Sequence, residues 1–366
     1  MKGDDLFMDV AIMGAGLSGL SCAIVLEKNG ISPVVFESRS QVGDRFVNGE
    51  VILSIVDRPI HDSILYFADK YGLFLKPVSE IKELVFYSEN ESAVIKGNLG
   101  YTNIRGRDED SYEHQLSRQI KSKIIFNSQY TYEKLREDFS HVVLATGDAD
   151  YAKKAGNYRE DLTATLRGAI VEGTFDLYSL KAWLDNRFAP KGNCYLIPIS
   201  EKEANIVIAY PDYPENREKD IDTMWSMFYD RVCKDLKQDL KITDKFEVTR
   251  YIMGICEHSR VHNTYFAGNN FGSIMPFMGL GQVASILTGI YAAQAICGQD
   301  TYENLTGQLR KAYENSLVMR KAIEKLDNSK LDMLVGSLKG KLGDKLFNGK
   351  IKDPLKYISY ILRLFV

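Results

Sequence analysis

Asp9-Val-Ala-Ile-Met-Gly-Ala-Gly-Leu-Ser-Gly19, followed by Pro33-Val-Val-Phe-Glu37, is the stretch that decides the fold. The first five residues read as a short buried strand. The glycine-rich turn leads into a helix with Ala23 and Leu26 on its inner face and Gly30 at its end. Pro33 to Glu37 is the next strand, so the unit is strand, turn, helix, strand and terminal acid in register. Gly14 permits the turn, Gly16 lets the backbone approach a pyrophosphate, and Gly19 lets helix and strand pack closely. The helix start, with Ala15, Leu17 and Ser18, offers free N–H groups and the positive end of the helix dipole. Glu37, flanked by Ser38, can accept hydrogen bonds from both hydroxyls of a ribose, and would repel a 2′-phosphate. The unit is a dinucleotide site; alone it does not separate one dinucleotide from another.

Composition sets the outer bounds. The chain has 366 residues, 45% hydrophobic and 26% charged, with net charge −3, which is enough for two interlocked domains and gives no reason to expect nucleic acid as a partner. No apolar run approaches the roughly 18 residues of a membrane span, and the Asp4, Asp5 and Asp9 start does not read as a signal peptide. Five scattered cysteines without a CxxC argue against structural zinc or an iron–sulfur cluster, so no metal is expected. A reducing, cytoplasmic setting fits best. Arg320 to Val366 holds 11 Lys or Arg against 5 Asp or Glu, which leaves the rest of the chain at −9. This basic tail ends in Leu355, Tyr357, Ile358, Tyr360 to Leu362 and Leu364 to Val366. It fits either an anionic membrane surface or a terminal helix docked on the protein.

Two later stretches repeat the first signal. His141-Val-Val-Leu-Ala-Thr-Gly-Asp148 is an apolar strand that returns the chain to a parallel sheet, and adds Thr146, Gly147 and Asp148 to the cofactor candidates. Thr264-Tyr-Phe-Ala-Gly-Asn269 is a further short strand ending in Gly268 and Asn269. Pro276-Phe-Met-Gly279-Leu-Gly281 then opens an apolar helix over 282–297, again presenting bare backbone N–H groups at a helix start.

The order GxGxxG, acid, Ala-Thr-Gly, then strand-Gly-Asn and Pro-x-x-Gly-x-Gly-helix resembles the p-hydroxybenzoate hydroxylase fold class of FAD proteins, and within it the geranylgeranyl reductase family. Asn193-Cys-Tyr-Leu-Ile-Pro198, Ala204 to Tyr210 and Gly43 to Glu50 carry the closer likeness, which covers about residues 8 to 300. The resemblance implies FAD as cofactor, and a Gly-x-Arg turn (Gly43-Asp44-Arg45) whose arginine approaches the phosphates or the flavin edge. It also implies an α/β fold: a Rossmann-like FAD-binding domain (1–50, 105–150 and 264–300) interleaved with a mixed or antiparallel-sheet substrate domain (51–104 and 151–263), then C-terminal helices (301–366). Strands are expected at 83–87, 93–95, 169–171, 194–198 and 205–210, and helices at 110–121 and 220–240. Arg105, ahead of the helix at 110, stands where the fold often sends a side chain to the cofactor.

The implied reaction is reduction of carbon–carbon double bonds in an isoprenoid or other apolar substrate by hydride from reduced flavin, with Tyr195, Cys256 and His258 as candidate proton donors. The lack of a second GxGxxG between residues 50 and 260 leaves transient NAD(P)H or a ferredoxin-like carrier as electron donor. The departures from the family are Asn269 for Asp, Asn48 and Val47 for a Cys and an Arg, and Asn193 and Ile197 for aromatics. A flavin monooxygenase, an electron-transfer flavoprotein and a non-catalytic lipid-binding protein stay open as alternatives.

Overall fold

The computed structural model describes residues 9–349 and 351–363. The tail residues Leu364 to Val366, and Asp4 and Asp5 at the start, lie outside the described residues. In chain order the strands are β1 Val10–Met13, β2 Val34–Phe36, β3 Asn48–Leu53, β4 Ser79–Tyr87, β5 Ser92–Arg105, β6 Ile124–Ile125, β7 His141–Leu144, β8 Tyr158–Glu172, β9 Ser179–Trp183, β10 Asn193–Pro198, β11 Glu203–Pro211, β12 Lys241–Cys256, β13 Arg260–Val261 and β14 Thr264–Phe266. They form two sheets. The first has the order β13-β14-β7-β1-β2-β6 and is parallel except for the β13–β14 edge. The second, β12-β8-β11-β10-β9-β4-β5-β3, is antiparallel except where β4 runs parallel to β9.

The first sheet is built as a doubly wound sheet must be. Its strands are short and apolar because they are covered on both faces. Helix Leu17–Lys28 is buried over ten consecutive positions, Leu17 to Leu26, and packs against helix Gln282–Ile296. The approach is close: a Cβ on Gly289 would stand 1.9 Å from the Ser18 carbonyl oxygen. Val10, Ile12, Leu20, Ile286, Ile290 and Tyr302 fill the core around this crossing.

The second sheet shows the period of two expected of strands with different faces. Cys194 and Leu196 of β10, and Ile206 and Ile208 of β11, point to one side, where Trp183, Phe228 and Val232 join them under helix Ile221–Leu236. The alternate residues line a cavity on the other side.

Several boundaries differ from the sequence reading. The helix expected at 110–121 spans only Tyr112–Ser117, started by Ser111, whose hydroxyl accepts from the His114 N–H. The strand at 169–171 is the end of 15-residue β8, and its 16-residue partner β12 was not anticipated at all. Residues 48–50, grouped above with the nucleotide side, pair with β5 in the second sheet, Asn48 opposite Arg105. At the C-terminus, helix Pro354–Leu362 docks on helix Tyr302–Ile323, and Arg363 donates to the Asn315 side-chain oxygen at 3.0 Å. The helix is docked on the protein and leaves Tyr357, Tyr360 and Ile361 facing outward. Among the described residues no helix is long and apolar enough to cross a membrane.

Two stability predictions follow from this packing. Gly289→Val must push the two helices apart, and should cost ~3 kcal/mol in chemical denaturation; a variant of wild-type stability would mean the helices do not meet as described. Asp57, half-buried beside Leu53, Val56 and Gln282, has its carboxyl pushed up by burial to about 7. Between pH about 4 and about 7 the unfolded chain releases this proton while the native state keeps it, so stability falls as pH rises through that window and levels above it. Asp57→Asn should flatten that part of the melting-temperature profile; an unchanged slope would remove Asp57 as its source.

Candidate functional site: a dinucleotide groove with an apolar arm

One cavity of about 1200 Å³ runs between the two sheets. That exceeds the roughly 300–1,000 Å³ typical of a site for one small ligand. Its nucleotide end is formed by Gly14 to Ser18, Glu37, Ser38, Thr146, Gly147 and Asp148. Gly14 (φ +113°) would place a Cβ 2.4 Å from the Ala145 carbonyl oxygen, and Gly19, which packs rather than lines, one 2.0 Å from the Gly14 oxygen. At Gly16 the situation is reversed: nothing lies within 4 Å of an added Cβ, because the position faces the cavity. Helix Leu17–Lys28 begins there with no side-chain cap and no acid in its first turn. Its N–H groups are left for an anion. The Glu37 carboxylate accepts from the Ala15 and Arg39 N–H groups, each at 2.9 Å, which aims it across the turn.

The helix at 282 repeats the arrangement, with Gly281 at its N-cap, again without a side-chain cap, and Gly279 and Gly281 on the cavity wall. Gln282, 6% exposed, has both side-chain polar atoms unpartnered. Gly268 (φ +60°) donates its N–H to Thr288 Oγ1 at 2.9 Å. Asn269 does not hold a free amide for a ligand. Its Nδ2 donates to the Gly147 carbonyl (2.6 Å) and to the Tyr251 hydroxyl (3.1 Å), and its Oδ1 accepts from Ser273 (3.2 Å). The amide ties the ends of the two strands together. Buried Asn270, unnoticed in the sequence, holds the Thr146 hydroxyl at 2.7 Å.

Arg45 and Arg105 line the middle of the cavity as members of an ion cluster. Arg105 reaches Glu50 at 3.0 Å and Glu113 at 2.9 Å, and Arg45 reaches Glu50 at 3.2 Å. Burial opposes ionisation of Glu50, but Arg105 and then Arg45 outweigh it and hold the carboxyl below the usual carboxylate range. Asn48 Nδ2 donates to the same carboxylate at 3.0 Å, while its Oδ1, and Glu113 Oε2, have no partner. Both arginines thus stand on the cavity wall, each already facing a carboxylate.

Of the three candidate proton donors, only Tyr195 lines the cavity. Burial and the charge of Glu50 push its phenol well above the ordinary range, so it stays protonated. Cys256 is buried elsewhere: Arg310 donates to its carbonyl at 2.7 Å and lies 3.5 Å from its sulfur, and burial pushes the thiol up to about 11. His258 is exposed, its backbone N–H and carbonyl clipped by Asn157 at 2.9 Å each. Tyr251, missed in the sequence, also lines the cavity. So do Tyr130, Tyr151 and Lys154 at the nucleotide end, the Tyr130 ring standing 4.8 Å from that of Phe36. Nothing local marks these residues; they arrive from distant strands and loops.

The profile of the NAD(P)-binding Rossmann-like domain family matches residues 12–61. The flavin-containing amine oxidase of Oncorhynchus mykiss is 37% identical over 98 residues, and that of Danio rerio 38% over 96. These matches cover 25% and 24% of the chain, and only 19% and 18% of those enzymes. Solved structures match over nearly the whole chain. A geranylgeranyl bacteriochlorophyll reductase-like protein from Thermoplasma acidophilum superposes with TM-score 0.73 at 17% identity, covering 96% of this chain and 95% of that one. A flavin-dependent brominase gives 0.66 at 15% identity, covering 98% of each chain. An aklavinone-11 hydroxylase, solved with FAD and aklavinone, gives 0.56 at 14%, covering 91% of this chain and 71% of that one.

The open position at Gly16, the uncapped helix start behind it and the acid at Glu37 fit FAD. Gly16→Val should fold, since its Cβ meets no protein atom, yet crowd the pyrophosphate. The expected product is a colourless protein with the melting temperature of wild-type apoprotein; a fully flavinylated variant would place the cofactor elsewhere. The fold is that of the FAD-dependent oxidoreductases, with a geranylgeranyl reductase-like protein among its solved likenesses, and the cofactor its site fits is FAD.

Proposed function

We propose that this protein is an FAD-dependent reductase that saturates carbon–carbon double bonds in an apolar, isoprenoid-like substrate. The observation that carries the reading is the second half of the cavity. Alternate residues of five strands face it: Leu162, Ala164 and Leu166 of β8, Leu180 and Ala182 of β9, Tyr195 and Ile197 of β10, Leu84 and Phe86 of β4, Val51 and Leu53 of β3. Almost all are aliphatic. A long hydrocarbon buried there gains roughly 25 cal/mol per Å² of apolar surface.

Bound FAD, when reduced, would supply the hydride. The chain's own part is to hold the substrate and deliver a proton. Tyr195 is suited to the last role: it is the one titratable side chain among those strand residues, and burial, with the charge of Glu50, keeps it in the protonated form. A phenol so disfavoured as an anion needs reprotonation in the same step, which water in the cavity can provide. NAD(P)H or a ferredoxin-like carrier would bring the electrons. Outward-facing Tyr357, Tyr360 and Ile361, beside exposed Lys352, suit contact with an anionic membrane from which such a substrate could be drawn.

The likeness to a brominase and a hydroxylase supports a second reading, in which reduced flavin reacts with oxygen. An absorption spectrum with anaerobic dithionite reduction, followed by re-oxidation in air, separates the two. Slow return of the flavin bands fits the reductase; immediate return coupled to substrate oxygenation would favour the monooxygenase. Under the reductase reading Tyr195→Phe should lower the rate of double-bond reduction about 10²–10⁴-fold. The dithionite-driven change in the flavin bands should stay as in wild type. Full turnover in that variant would take the proton-donor role from Tyr195.

A further inference from the structure

The apolar arm does not end in apolar residues. Along β10 the cavity-facing positions run Ile197, Tyr195, Asn193. Ile197 lies beside β3, at the end of the arm next to Glu50, where its side chain would stand 3.1 Å from a Cβ on Gly49. Asn193 is four residues further along, ~14 Å at the rise of an antiparallel strand. There Arg320, from helix Tyr302–Ile323, also lines the cavity although it is only 6% exposed. The arm is therefore hydrocarbon-like along its length and polar at its far end.

The charge at that end is already balanced. Arg320 Nε donates to Glu324 Oε1 and Nη2 to the Lys191 carbonyl, and Tyr213 donates its hydroxyl proton to the same Glu324 oxygen, at 2.5 Å in each case. The Lys191 ammonium is held by Glu215 at 2.5 Å. A guanidinium has five N–H donors; among the described residues Arg320 spends two on these bonds and also acts on the Tyr213 hydroxyl, which leaves donors over. The Asn193 carboxamide makes no hydrogen bond of its own among the described residues. The end of the arm thus offers hydrogen-bond donors, and an amide acceptor, without a free positive charge. A carboxylate or phosphate brought here would be desolvated without a counter-charge, which is expensive. An alcohol or carbonyl oxygen loses little.

We infer that Asn193 and Arg320 select an apolar substrate carrying one uncharged oxygen head group, an alcohol or a carbonyl, seated roughly 14 Å from the end of the arm next to Glu50. The inference rests on the apolar-substrate reading above and names its specificity residues. It makes the head group a positioning device: once the oxygen is anchored, the double bonds along the chain stand at fixed distances from the reacting end.

Three labelled probes of equal chain length test it by equilibrium dialysis against the FAD-loaded protein, presented from cyclodextrin at about pH 8: farnesol, farnesoate and farnesene. Farnesol should bind about tenfold more tightly than either of the others, the worth of one good hydrogen bond. Asn193→Ala should bring farnesol close to farnesene while leaving farnesene binding and the melting temperature unchanged. Tightest binding of farnesoate would overturn the uncharged head group, and an Asn193→Ala variant that keeps its preference for farnesol would remove Asn193 from the selection. Failure of all three probes to bind a protein that holds FAD would sink the apolar-substrate reading itself, and this inference with it.

Discussion

Everything functional in this protein depends on two helices being allowed to touch. Helix Leu17–Lys28 and helix Gln282–Ile296 cross at Ser18 and Gly289, where no Cβ fits. The crossing lies in the first turn of the one and midway along the other, and both uncapped helix starts reach one wall of one cavity. Their unsatisfied N–H groups make that wall electropositive without a single charged side chain. A bulkier residue at position 289 would tilt the second helix and separate the two starts. The glycine therefore sets the site's electrostatics as much as its packing.

The central ion cluster works on a different principle. Arg45, Glu50, Arg105 and Glu113 carry two positive and two negative charges, mostly out of solvent. A buried set of this kind contributes little net stability when complete and costs several kcal/mol when one member is lost. Its value is in fixing position. It ties the loop after β2 to β3, to the end of β5 and to the short helix at Tyr112, so both sheets are pinned at the middle of the cavity. Its Glu50 also adds to the burial that keeps the Tyr195 phenol protonated.

How much of this could be read from the chain alone depended on distance along the chain. The unit from Asp9 to Glu37 was legible because each of its requirements is local: a turn needs glycine, a ribose needs an acid. The strand ends at Gly147 and Gly268 were legible for the same reason. Arg105 was placed at the cavity, but its engagement with Glu50 was not visible, because the pairing follows from the register of β3 on β5. Asn269 reads as a ligand residue until Tyr251 and Gly147 claim its amide from distant elements. β12 was missed because its exposed face carries Lys241, Thr243, Lys245, Glu247 and Thr249, which look like a solvated loop until β8 supplies a partner. Cys256 ends that strand and His258 lies two residues past it, and neither lines the cavity.

The lone parallel pairing in the second sheet, β4 beside β9, has a consequence for how the molecule comes into being. Between those neighbours the chain leaves the sheet, lays down β6 and β7 of the other sheet, and returns through β8. The first sheet in turn waits for β14, near residue 264, to close beside β7. A ribosome that has made half of this chain has therefore made neither sheet in finished form. Both hydrophobic layers must ripen together, late, from contacts far apart in sequence, which slows folding and leaves apolar strands exposed meanwhile. Interleaving that gives the mature protein a cavity shared by two sheets also keeps the nascent one open until most of the chain is made.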